Sequence, residues 1–345
     1  MSATLMRRPP CLTDSADSVM GRRAFLGVLA GGLVTAPLAA AGQQAGRTWR
    51  VGWLQPSPPA SAGHTNFRQA MRELGYVPGE NVMFEDRFAE GDFARLPGLA
   101  AELARTKVDV IVAVAPGAIR AARNATQTIP IVMAFSGVDP VKAGFVASFN
   151  RPGGNVTGIT MLAPELSAKR LDVLKQALPA VKRVGVLGYR TNPGTAEQLK
   201  AVESAASRLG LTVEAVYAEQ PDRYDGIFAS LAQRRIDALL VLSDTVLAND
   251  RAEIVESAMR HRLPAVFDFK ESAEAGGIVS YGVNNLDLYR QAARFVDRLF
   301  KGARPNDLPI EHPTKFELVV NLKTARALGL TIPRSLLQRA DQVIE

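Results

Sequence analysis

Beyond its first forty-odd residues the chain alternates between two hydrophobic rhythms. TWRVGWLQ (48–55) and the wholly apolar VDVIVAVA (108–115) read as buried strands, the latter covered on both faces. NVMFEDRF (81–88), IPIVMAF (129–135), RVGVLGY (183–189), TVEAVYA (212–218), IDALLVLSD (236–244), PAVFDF (264–269) and GGIVSYG (276–282) are further strands. Between them lie helical spacings. In 62–76, Phe67, Ala70, Met71 and Leu74 share one face and Gly75 closes the turn. Helices are also predicted over 93–106 despite Pro97, over 117–127, and over 195–210, 224–235 and 249–262. Strands alternating with helices predict an α/β fold of two Rossmann-like lobes, each a parallel sheet covered by helices. The halves echo each other: RVGWLQPSPP matches RVGVLGYRTNP, and VDVIVAVAPGAI matches IDALLVLSDTVL. A duplicated lobe accounts for this, and so does a shared fold period.

In open parallel sheets, ligands bind outside the carboxyl ends of the strands. The loops that count are therefore 55–64, 115–118, 135–140, 189–194, 243–246 and 268–271.

The first residues follow neither rhythm. Arg22 and Arg23 precede an uncharged run from Ala24 to Ala41, which ends in small residues before Gly42-Gln43-Gln44. A charged start, an apolar middle and a small-residue exit predict a cleaved export signal over 1–42. The arginine pair resembles a twin-arginine signal, which places the mature protein in the periplasm. A retained anchor is the alternative. A phosphate loop is excluded because GVLAGG has no Lys-Ser/Thr after it and no strand before it. Cleavage takes away Cys11, the only cysteine, so the mature chain has neither disulfides nor cysteine-held metals. It also takes away Arg7, Arg8, Arg22, Arg23, Asp14 and Asp17, which is +2 of the total +7 and leaves +5. The remaining basic residues are scattered, which argues against nucleic acid as a partner.

Several long phrases are similar to one family. FRQAMRELGYVPGENVMFEDRFAEGDFARLPGLAAELARTKVDVIVA, IPIVMAFSGVDPVKAGFVASFNRPGGNVTGIT, HRLPAVFDFKESAEAGGIVSYGVN and PTKFELVVNLKTARALGLTIPRSLLQRADQVIE resemble an uncharacterised branch of the ABC-transporter substrate-binding proteins with the type I periplasmic-binding-protein fold, related to receptors for aromatic amino acids. The resemblance implies two lobes joined by three hinge strands. Lobe 1 is expected over 48–155 plus about 283–310 and lobe 2 over 156–282, with 311–345 packing on lobe 2. RPGGNVTG (151–158), SYGVN (280–284) and ARPNDLPIEHPTK (303–315) are the expected crossings. It also implies a monomer that binds a small molecule, an amino acid first, without cofactor or metal, and delivers it to an ABC permease in the inner membrane.

A small zwitterion needs donors for its carboxylate and acceptors for its ammonium, and helix N-termini supply free N–H groups. On the implied cleft, the candidates are Gln55 and Ser57 after the first strand, Pro116, Gly117 and Ala118 at a helix start, and Ser136, Gly137 and Asp139. From the other lobe come Tyr189 and Asn192, Ser243, Asp244 and Thr245, and Asp268 and Tyr281. Asp139, Asp244 and Asp268 are the candidate ammonium acceptors. Tyr189, Phe267, Phe269 and Tyr281 are candidate walls for an apolar ligand. Each has a plainer reading: Ser243, Asp244 and Thr245 as helix caps, Asp139 as a turn former, the aromatics as core.

Three other functions bear on the same sequence features. An enzyme lacks a signature here: there is no G-x-G-x-x-G after a strand, no P-loop, no H-E-x-x-H and no G-x-S-x-G, and His64, His261 and His312 are far apart. His64 alone follows a strand closely enough to reach the cleft. A sugar-responsive repressor needs a helix-turn-helix where the export signal stands. An exported sensor without a transporter would have the same sequence features.

Overall fold

The computed structural model describes residues 47–59, 61–219 and 224–345; the predicted export signal lies outside the described residues. Thr48–Glu345 cluster as one compact unit. The first lobe runs β1 (Trp49–Gln55), α1 (Ala62–Glu73), β2 (Val82–Phe88), α2 (Leu96–Arg105), β3 (Val110–Val114), α3 (Ala115–Ala125), β4 (Ile131–Ser136) and β5 (Val156–Thr160). The sheet order is β2-β1-β3-β4-β5, parallel throughout. Side chains of a strand point alternately to the two faces. Thus Val110, Val112 and Val114 enter one apolar layer with Val132 and Ala134, while Ile111, Ala113, Ile131 and Met133 enter the layer on the opposite face. Pro97 sits in the first turn of α2, where its missing N–H costs no helix bond.

The second lobe runs α4 (Ala163–Ala177), β6 (Arg183–Tyr189), α5 (Thr195–Leu209), β7 (Thr212–Ala218), α6 (Tyr224–Gln233), β8 (Ala238–Val241), α7 (Thr245–Asn249), α8 (Arg251–Arg260), β9 (Ala265–Phe267), α9 (Lys270–Glu274) and β10 (Val279–Gly282). Its strands β7-β6-β8-β9-β10 repeat the order of the first lobe. The chain then forms α10 (Asn285–Phe300), whose Leu288, Tyr289, Ala292, Ala293, Phe295 and Val296 complete the core of the first lobe. It finishes with β11 (Glu317–Asn321), α11 (Leu322–Leu328), α12 (Arg334–Leu337) and β12 (Gln342–Ile344). β11 and β12 extend the second sheet to order β12-β11-β10-β9-β8-β6-β7. The expectation of purely parallel sheets needs one correction: β11 runs antiparallel to β10, because the chain returns from the first lobe in the opposite direction.

The expected first crossing and the start of the second lobe also move. Val156–Thr160 pairs with β4 and belongs to the first sheet. The chain leaves that lobe at Met161–Leu162, and Leu162 turns it with φ 53. Of the 151–158 stretch, residues 151–155 are a loop within the first lobe, where the Gly153 amide donates to Asn306 Oδ1, and 156–158 begin β5. Gly158 is glycine for a packing reason: with φ +124, a Cβ there would stand 2.4 Å from the Met133 carbonyl oxygen. Residues 308–311 run beside β5, with the Glu311 amide donating to the Gly158 carbonyl. Among the described residues no helix is long and apolar enough to cross a membrane.

Candidate functional site

Strand order reverses between β1 and β3, and a ligand crevice is expected outside the carboxyl ends at that point. A cavity of about 300 Å³ lies there. The first lobe contributes Gln55, Ser57, the N-terminal turn of α1 at Ser61–Gly63, Val114 and Phe135; the second contributes Thr245, Ala248, Asn249, Arg251, Phe269, Glu271 and Ser272. Asn285 and Tyr289 come from α10. The backbone is strained at the rim: Ala115, directly after Val114, takes φ 72, a conformation that costs a non-glycine residue about 1–3 kcal/mol.

The first-lobe wall is held from behind by Gln55. Its Oε1 accepts from Trp53 Nε1 at 2.7 Å, and its Nε2 donates to the carbonyl oxygens of Ser57 (3.2 Å) and Pro58 (2.8 Å) and to Ser61 Oγ (3.0 Å). Gln55 thereby shapes the loop that carries Ser57 and places Ser61, the N-cap of α1. Tyr289 lies directly over Gly63, so a Cβ on Gly63 would fall 2.3 Å from Tyr289 Oη.

Three buried polar atoms on this cavity, Ser57 Oγ, Thr245 Oγ1 and Glu271 Oε2, have no hydrogen-bond partner. Ser57 itself is 1% exposed. Such atoms are costly unless something pairs with them, so their convergence from both lobes marks the cavity as built for a polar guest. Arg251, whose Nη1 donates to the Ala248 carbonyl, adds a positive group to the lining, and Phe135, Phe269 and Tyr289 supply aromatic surface. The Phe135 and Phe269 rings meet across the lobes with centroids 5.9 Å apart.

Of the residues singled out in the sequence, Gln55, Ser57, Thr245 and Phe269 line this cavity. The rest have other work. Gly117 faces Phe93, Ala118 is in the first-lobe core, and Pro116 abuts Gly194 of the second lobe. Ser136 Oγ donates to the Val138 carbonyl, and Gly137 packs against Ala163. Asp139 accepts from the amides of Val141 and Lys142 as a turn former. Asp244 caps α7 through the Val246 and Leu247 amides and also accepts from Asn192 Nδ2. Tyr281 is half-buried against Phe316, and Phe267 is core. Tyr189 contacts Gly91 and Phe93 of the first lobe. His64 is tied to Arg68 and Asp86 and packs against Trp53 and Phe88, between α1 and the first sheet.

Ser243 and Asp268 belong to a buried network behind the second-lobe wall. Arg170, fully buried on α4, donates from Nη2 to Ser167 Oγ and Ser243 Oγ, and its Nη1 lies 3.8 Å from Asp268 Oδ2. Burial pushes the Asp268 carboxyl up to about 6, against the pull of Arg170 and the Ser243 hydroxyl. The network anchors Ser243 and Asp268, and Thr245, two positions after the first, and Phe269, directly after the second, reach the cavity. Among the described residues no group of three His, Cys, Asp or Glu side chains is placed to hold a metal.

The same chain resembles known proteins along most of its length. It is 25% identical over 281 residues to a tyrosine-binding protein of Clostridioides difficile (strain R20291), covering 81% of this chain and 80% of that protein. A solved structure of an ABC domain in complex with L-Trp from Streptococcus pneumonia is 26% identical, with TM-score 0.77, covering 86% of this chain and 100% of that one. The ligand-free, open structure of a substrate-binding protein with adhesive properties from Clostridium difficile is 25% identical with TM-score 0.60, covering 86% of this chain and 99% of that one. The fold is that of the type I periplasmic binding proteins. The model of the family described as ABC transporter substrate binding protein matches residues 58–344, and the chain belongs to that family.

Proposed function

We propose that this chain is an exported receptor that captures an amino acid, an aromatic one first, between its lobes and delivers it to an ABC importer. The observation that carries this reading is the set of unpaired polar atoms, Ser57 Oγ, Thr245 Oγ1 and Glu271 Oε2, facing one cavity from both lobes. A cavity of about 300 Å³ suits a single small ligand. Glu271 is the acceptor for an ammonium group. Ser57, Thr245, Arg251 and the N-terminal turn of α1 are donors for a carboxylate. Phe135, Phe269 and Tyr289 offer the ring faces that an aromatic side chain packs against. The tyrosine-binding and L-Trp-bound relatives support the same ligand class.

Binding acts through closure. A ligand touching both lobes favours the closed form by the contacts it makes only there. The greater likeness to the L-Trp complex than to the open, ligand-free relative supports a closed arrangement here. The closed monomer then docks on its permease, and no chemical step is involved. The export signal read in the sequence supports delivery to the periplasm.

The test is calorimetry on the full chain after stripping by unfolding and refolding, against L-tryptophan, L-tyrosine, small acids, nucleosides and sugars. Saturable binding of an amino acid with micromolar dissociation constant, about −8 kcal/mol, is expected. Binding only of a sugar or nucleoside would remove the amino-acid reading and keep the receptor.

A further inference from the structure

We infer that Tyr189 is a positioning residue that latches the lobes in the closed form and so sets how long ligand stays, without touching it. The inference rests on the receptor reading only for its ligand measurements. Tyr189 ends β6 in the second lobe and is 2% exposed, yet it does not line the cavity. Its hydroxyl reaches the Gly91 carbonyl of the first lobe at 3.2 Å and the Glu219 carbonyl of its own lobe at 3.4 Å. Its ring lies 5.8 Å from Phe93, which packs against the apolar cluster of the second lobe. Beside it, Gly194 rests on Pro116 and Val138 of the first lobe.

The contact is wired to the cavity. The Gly91 amide donates to the Pro56 carbonyl at 2.8 Å, and the Ala89 amide to the Gln55 carbonyl at 3.0 Å. The turn that receives Tyr189 is therefore the one that braces the loop carrying Ser57. Opening the lobes separates Tyr189 from Gly91 and leaves the hydroxyl its acceptor within the second lobe, Glu219. The latch thus exists only in the closed form, and its loss changes the closed–open balance while each lobe keeps its own fold.

Tyr189→Phe in the full chain removes the hydroxyl and keeps the ring; Phe93→Ala removes the apolar half of the contact. With L-tryptophan and L-tyrosine as probes, Tyr189→Phe should speed ligand release about 2- to 10-fold, as expected for losing one hydrogen bond. Its unliganded melting temperature should stay near wild type. Independently of any ligand, Cys11→Ser protein carrying spin labels at exposed Arg123 and Arg208 reports the distance between lobes, and both variants should shift it toward the longer separation. Unchanged release together with an unchanged distance distribution overturns the latch. If neither amino acid binds wild type, the amino-acid reading fails, and the distance distribution alone decides the latch.

Discussion

Replacing Glu271 by glutamine separates a binding residue from a structural one by the signs of two effects. Glu271 Oε2 is buried on the cavity without a protein partner. In the empty protein the carboxylate oxygen contributes nothing by hydrogen bonding, and its desolvation is a cost. The substitution should leave stability in urea unchanged or raise it by up to about 1 kcal/mol. With an amino acid bound, the same oxygen accepts from an ammonium group. A charge-assisted hydrogen bond is worth about 1.5–3 kcal/mol, so affinity should fall roughly ten- to hundredfold. Calorimetry with L-tryptophan and with its deaminated analogue, indole-3-propionic acid, isolates the interaction as a cycle between protein and ligand. Wild type should prefer the amino acid strongly, and Glu271→Gln should lose most of that preference. Equal discrimination by both proteins would refute the assignment of Glu271 to the ammonium. So would destabilisation of the empty variant by more than about 1 kcal/mol, which would show that the carboxylate holds the fold.

Other substitutions test the remaining walls. Gly63→Ala places a methyl 2.3 Å from Tyr289 Oη, so the ring must move; a loss of about 1–3 kcal/mol in urea and weaker binding are expected. Asp244→Ala removes the cap of α7 and the partner of Asn192, so it should cost about 1–2 kcal/mol of stability, read by denaturant midpoint, although Asp244 does not line the cavity. Asp268 binds its proton more tightly folded, with its carboxyl up to about 6, than unfolded, near 3.8. Its contribution to stability is therefore complete below about pH 3.8 and lost as pH rises through about 6. Thermal melts should show wild type losing stability relative to Asp268→Asn across that window, and a parallel pair of curves would contradict it.

The strands were legible because their apolar runs have only one physical use, burial on both faces, and β1, β3 and β4 stand where the runs fall. The ligand loops were legible in part. The 243–246 and 268–271 loops do reach the cavity, but the ammonium candidates drawn from them, Asp244 and Asp268, are spent on a helix cap and on Arg170. Their neighbours Thr245, Phe269 and Glu271 reach the cavity instead. Which side chain of a loop faces a cleft depends on backbone direction set by distant packing, and composition carries no trace of it. Asn285 and Tyr289 were missed because they arrive from a helix that crosses back from the other lobe. Its apolar spacing at Leu288, Ala292, Phe295 and Val296 was present in the sequence, but nothing local ties it to Gly63.

That returning helix constrains the order in which the molecule can form. The first sheet closes with Thr160, yet Trp53, Phe67 and Met71 remain without their cover until Tyr289, Phe295 and Phe300 have been made. The second sheet in turn gains β11 and β12 only after α10 has been laid down on its neighbour. An emerging chain thus holds an apolar face open through the synthesis of the entire second lobe. Segments of that kind attract other chains or holding proteins. A fragment ending at Gly282 should accordingly aggregate, even though it contains every strand through β10, and adding residues through Phe300 should restore solubility before the last strands exist.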